Sequence, residues 1–135
     1  MRKTAGWWTL AALIMAVGCA DHAGRGVKGK EPALRERVDM YHELITLRDY
    51  DAASLLIKRE YRNDFVSYAQ RMQRGYTLES YSIVKVEMNP AGNQAAVVVS
   101  RSFVAPASVT LQTQDFVMHW ELGPDGGWMI ASPPY

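Results

Sequence analysis

Val84-Lys85-Val86-Glu87-Met88 runs through Asn89-Pro90-Ala91-Gly92-Asn93 into Ala95-Ala96-Val97-Val98-Val99, and this stretch decides the fold. Apolar and charged residues alternate over 84–88, the period of a half-buried strand. Asn, Pro and Gly then crowd the next five positions, which is turn chemistry. A β-branched run follows, extending to Val104. The pattern is two antiparallel strands with a short connection.

Downstream, Val109 to Leu122 reads as a third, long strand. Its apolar parity slips, with Val109 and Leu111 odd but Phe116, Met118, Trp120 and Leu122 even. A bulge near Thr113 to Asp115 would return all of them to one face. Gly123-Pro124-Asp125-Gly126-Gly127 is a turn, and Trp128 to Ala131 is the last strand. Upstream of the sheet the period changes to that of helices. Pro32 suits a first helical turn. Leu34, Val38, Tyr41 and Ile45 mark one face, with Leu44 and Leu47 at its side. Asp49 is placed to cap a second short helix, and Asn63 a third carrying Phe65, Ala69 and Met72. Gly75 stands at the expected stop. Helices followed by strands make an α+β domain over 32–135, with N-terminal helices packed on a curved antiparallel four-stranded sheet.

The first eighteen residues belong to something else. Arg2 and Lys3 precede an apolar run from Trp7 to Val17. That run is too short to span a bilayer, which takes roughly 20 apolar residues, and its order is that of a secretory signal peptide. It closes on Ala16-Val17-Gly18-Cys19, with the chain's one cysteine. This resembles the lipobox of bacterial lipoproteins, although Ala16 stands where Leu is usual. The resemblance implies cleavage between Gly18 and Cys19, lipid (palmitate included) on Cys19, and anchorage in the cell envelope. Ala20 after the cysteine favours the outer membrane, facing the periplasm. A lone thiol in an oxidising compartment is a hazard that a thioether removes. Residues 19–31, with Gly24, Gly26 and Gly29, read as a lipidated flexible tether of roughly 20 Å reach. Arg25, Lys28 and Lys30 could meet anionic head groups.

The formal charge of the 135-residue chain is +1, and loss of Arg2 and Lys3 leaves −1. There is no basic excess for nucleic acid. One cysteine excludes an intrachain disulfide. His22, His42 and His119 are too scattered for a metal site, and no cofactor motif is present.

The order of elements resembles the nuclear transport factor 2-like (cystatin-like) cone. The likeness lies in Leu47-Arg48-Asp49-Tyr50-Asp51-Ala52-Ala53, in Val84–Glu87 leading to Ala95–Val99, and in Phe116–Glu121 followed by Gly126–Ile130. It implies a pocket between helices and sheet, and carries no catalytic signature. If the Trp120 face is the core, Tyr41, Trp120 and Trp128 line that pocket. Asp115, His119 and Glu121 then point outward, Asp39 faces solvent, and His42 sits at the stripe's edge. Tyr81, Ile83, Val97, Val99, Phe103 and Val117 share a parity class with Lys85, Arg101 and His119. Depending on strand registration, they form a mixed apolar patch on the sheet's other face, suited to a homodimer or an envelope protein partner.

Three functions follow as expectations. The first is an anchored, non-enzymatic binding or assembly module. The second is a carrier or sensor of a small apolar ligand. The third is a small pocket enzyme of isomerase or dehydratase type, which needs an inward carboxylate or histidine.

Overall fold

The computed structural model describes residues 22–135, with side chains from Gly29 onward. The expected signal peptide, the Gly18–Cys19 cleavage and the lipid on Cys19 lie outside the described residues. No helix among those described is long and apolar enough to cross a membrane.

Helix α1 spans His22–Thr46. Its stripe is the expected one: Leu34, Val38, Tyr41 and Ile45 are all buried. It starts ten residues before Pro32, so 22–31 is helical rather than a flexible tether. Helix growth adds one hydrogen bond for each residue fixed, so a packed segment propagates outward through weak formers. Pro32 costs that ladder one donor, and an exposed Glu31–Arg35 pair at 2.9 Å bridges the turn around it.

The end of α1 is set by backbone geometry. Asp49 N–H donates to Leu44 O at 2.9 Å and Arg48 N–H to Ile45 O at 3.0 Å. Arg48 holds φ at 60°. This is a Schellman closure with arginine where glycine is usual. Asp49 then caps α2 (Tyr50–Ser54), its Oδ1 accepting from Ala52 N–H at 3.1 Å. A 3₁₀ turn, Arg59–Tyr61, runs directly into α3 (Arg62–Gln73). Asn63 is therefore inside the first turn of α3 and not its cap. Tyr61 holds the cap position without a side-chain bond, because the 3₁₀ turn leads into the helix. Gly75 follows α3 with φ at 121°, its open side against Pro106, where a Cβ would sit 3.4 Å away.

Four strands follow: β1 (Thr77–Met88), β2 (Gln94–Val104), β3 (Leu111–Leu122) and β4 (Trp128–Ser132). They form one antiparallel meander in the order β1-β2-β3-β4. Rows across its inner face run Ile83–Val99–Phe116, Val86–Val97–Met118 and Met88–Ala95–Trp120–Ile130.

The bulge expected near Thr113–Asp115 is absent, since β2 and β3 pair without a shift from Gln94↔Glu121 to Val104↔Leu111. No correction is needed there because residues 111–115 are exposed on both faces. The breaks fall instead in β1, between Leu78 and Ser80 and between Ile83 and Lys85, and between His119 and Trp120 where β3 meets β4. The second break in β1 places Ile83 and Val86 on one face and leaves Val84 exposed. Bulges also make β1 a poor template for another strand. At the opposite edge, Ile57 forms a parallel bridge to Ile130, with Lys58 N–H donating to Ile130 O and Ile130 N–H to Leu56 O. The β4 edge is thus engaged at Ile130, and the β1 edge is irregular.

Candidate functional site

Parity on β2 determines what faces the helices. Ala95, Val97, Val99 and Arg101 alternate inward and all are buried. A charged side chain thus continues an apolar row, and its surroundings define the site. Arg101 is 5% exposed. Its Nε–H donates to His42 Nε2 at 3.0 Å. One terminal nitrogen donates to the main-chain oxygen of Tyr135, and the other to Met118 Sδ at 3.1 Å. The guanidinium lies 4.8 Å from the centre of the Phe116 ring, a cation–π distance. Among the described residues no Asp or Glu forms an ion pair with it.

His42 is fully buried on α1 and is neutral. Burial, and then the charge of Arg101, bring its pKa down to about 3. A guanidinium N–H can only donate, so Nε2 must accept. The ring proton therefore sits on Nδ1, which lies 2.7 Å from Val38 O. Both ring nitrogens are engaged. Tyr81 stacks on the imidazole at 4.4 Å, and Tyr41 meets it edge-on at 5.2 Å. The Tyr81 hydroxyl donates to Asp39 Oδ1 at 3.0 Å. Burial and that carboxylate push the Tyr81 hydroxyl up to about 12. Asp39 is therefore half-buried and engaged, not a free solvent-facing acid.

A pocket of about 640 Å³ opens beyond Arg101, between α3, the start of β1 and the far ends of β2 and β3. Its walls include Tyr68, Met72, Tyr76, Leu78, Phe103 and Phe116, with Pro133–Tyr135 across one side. Asp64 is the one acidic side chain among the lining residues. Tyr135 fixes that side: its ring packs edge-on to Phe65 at 5.6 Å, and its hydroxyl donates to Tyr61 O at 3.1 Å.

Helices packed against a curved four-stranded meander match known structures. A nuclear transport factor 2-like protein with a cystatin-like fold, from Novosphingobium aromaticivorans, superposes with a TM-score of 0.57 at 16% identity. The match covers 84% of this chain and 87% of that one. The chain has the nuclear transport factor 2-like, cystatin-like fold. A candidate polyketide cyclase from Xanthomonas campestris pv. campestris superposes with a TM-score of 0.55 at 16% identity, over 77% of this chain and 93% of that one. At this identity the likeness is one of fold. No protein-family model matches the chain, and no curated protein matches it in sequence.

Within this cone the expected pocket residues are displaced from the mouth. Tyr41, Trp120 and Trp128 are buried in the central core and none lines the pocket. Among the described residues the Tyr41 hydroxyl and Trp120 Nε1 have no hydrogen-bond partner within direct reach. The expected interface is mostly interior. Val97 and Val99 are fully buried, Tyr81 and Ile83 pack on the core, and Phe103 lines the pocket. Val117 alone of the six faces outward. The physical reason is that Val97-Val98-Val99 is apolar on both faces, so the strand's own pattern does not say which face the helices cover. Asp115 and His119 are exposed on the outer face as expected. Glu121 is half-buried and pairs with Lys58 at 2.6 Å. Among the described residues no three His, Cys, Asp or Glu side chains gather as a metal site.

Proposed function

We propose that the chain is a lipid-anchored bacterial envelope protein whose cone mouth holds a small, largely apolar ligand near the bilayer, as a carrier or sensor. The observation that carries the ligand reading is the open pocket of about 640 Å³ with aromatic and aliphatic walls. Small-molecule sites usually fall between roughly 300 and 1,000 Å³ and are mostly apolar. The anchor rests on Arg2, Lys3, the Trp7–Val17 run and Ala16-Val17-Gly18-Cys19. The assembly reading loses support because its patch lies largely in the core. The enzyme reading calls for a free inward base. His42 and Asp39 are both engaged, which leaves Asp64 at the rim as the acidic side chain facing the pocket.

The test uses the full chain in zwitterionic lipid nanodiscs, titrated calorimetrically with methyl 2-naphthoate, with empty discs as blank. Saturable binding that Met72→Trp abolishes supports the pocket. Binding unchanged by Met72→Trp, or no saturable binding, contradicts it. Labelled palmitate appearing in the parent but not in Cys19→Ser supports the anchor, and an unlabelled parent contradicts it.

A further inference from the structure

We infer that the ring of Tyr135 sets the depth of the pocket, so that the site takes a compact apolar ligand and turns away a longer one; this rests on the pocket reading above. The buried residues of the lining are Leu78, Arg101 and Tyr135, and they mark its inner end. Tyr135 is 5% exposed. Its ring meets Phe65 edge-on at 5.6 Å and Tyr68 at 5.9 Å. Tyr68 is part of the pocket wall, whereas Phe65 is 1% exposed and is not. Tyr41, in the central core, packs on Phe65 with ring centres 6.4 Å apart. The Tyr135 ring is therefore a partition, with the open pocket on one side and the aromatic core on the other.

The partition is held from several sides. The Tyr135 hydroxyl donates to Tyr61 O at 3.1 Å, and its main-chain oxygen accepts from Arg101. Arg101 is itself fixed by His42. With the contacts to Phe65 and Tyr68, these bonds tie the residue to α1 through His42, to the 3₁₀ turn, to α3 and to β2. Protein interiors are close-packed, so a ring pinned in this way does not give by its own width. A guest that grows by one ring toward Tyr135 therefore collides with it. Removing the ring has the opposite effect. A large-to-small change leaves space that the surroundings fill only in part, and a space with apolar walls stays dry and accepts an apolar guest. Tyr135→Ala thus joins the pocket to a space that reaches Phe65, while the main-chain oxygen held by Arg101 is retained.

The test uses two esters that differ by one fused ring. The full chain in zwitterionic nanodiscs is titrated with methyl 2-naphthoate and with methyl anthracene-2-carboxylate, and partition into empty discs is subtracted. The longer ester has more apolar surface to bury, so an unobstructed pocket would bind it more tightly. Overpacking reverses that order, and the parent should bind the naphthoate with a dissociation constant about fivefold lower or better. Tyr135→Ala should invert the preference and Tyr135→Leu should narrow it. Tyr135→Phe keeps the ring, loses the bond to Tyr61 O, and should preserve it. Circular dichroism confirms that each variant is folded, and Tyr135→Leu carries the test if the alanine variant is not. A parent that binds the longer ester as tightly as the shorter overturns the depth inference and leaves the pocket reading standing. A preference unchanged in the folded alanine or leucine variant overturns the assignment to Tyr135. Its loss in Tyr135→Phe overturns the role of the ring. Absence of saturable binding of both esters by the parent overturns the pocket reading together with this inference.

Discussion

Arg101 Nε–H donates to His42 Nε2 at 3.0 Å, joining the second strand to the first helix inside the cone. The bond fixes the roles of both side chains. His42 cannot act as a base through Nε2 while that lone pair holds the guanidinium. The proton on Nδ1 is directed to Val38 O. His42 is a positioning residue for the cation at the pocket floor.

Removing it should be costly. His42→Ala leaves a buried cavity and an unsatisfied N–H on Arg101, and each defect costs about 1–3 kcal/mol. A loss of about 3 kcal/mol is expected, read as a lower urea midpoint at unchanged slope. A loss under 1 kcal/mol would mean that the bond is not maintained in solution.

The same residue predicts a pH dependence. Folded His42 has its pKa depressed to about 3 from 6.5. The unfolded chain therefore binds more protons across the interval between those values. Its contribution to stability is complete above the unfolded pKa and declines as pH falls toward the folded one. Between pH 7 and pH 5 the loss is about 2 kcal/mol. Urea unfolding at the two pH values should show it, and His42→Gln should remove most of the difference. Equal slopes in parent and variant would count against a buried neutral histidine.

Two valines on different faces separate core from surface. Val97→Lys buries a charge among Met118, Val86 and the helices, and the chain should fail to fold cooperatively. Val117→Lys, on the outer face, should change stability by less than about 0.5 kcal/mol. Thermal unfolding of the pair checks this, and the reverse ranking would invert the sheet.

The helix closure at Arg48 offers a gain. Its φ of 60° costs a non-glycine residue roughly 1 kcal/mol. Its side chain gives back an exposed bond to Thr77 Oγ1 at 3.2 Å. Arg48→Gly should raise stability by about 0.5–1 kcal/mol in chemical denaturation, and a drop would show that the Thr77 contact outweighs the strain.

Much of this architecture is legible in the residues themselves. The Leu34–Val38–Tyr41–Ile45 stripe, the Asp49 cap, the Gly75 stop and the strand-turn-strand order are local signals with local causes. The bulges in β1 are not legible, because Val84-Lys85-Val86-Glu87-Met88 alternates perfectly and hides the break between Ile83 and Lys85. The inward face of β2 was equally hidden by three consecutive valines. That ambiguity concealed the site. Arg101 shares parity with Val97 and Val99, and a buried Val97 makes a buried cation at once. His42 gives less warning, since its partner lies 59 residues away. The location of the pocket depends on Tyr135 and Pro133–Pro134 folding back beside α3, which no periodicity announces.

The most direct test of the whole account is native mass spectrometry of the full chain extracted from its own membranes. The account predicts a chain beginning at Cys19 with covalent lipid, and a second, non-covalent mass of a small, largely apolar molecule that is absent from Met72→Trp. A chain with unmodified Cys19, or one that carries no small molecule in either form, would contradict it.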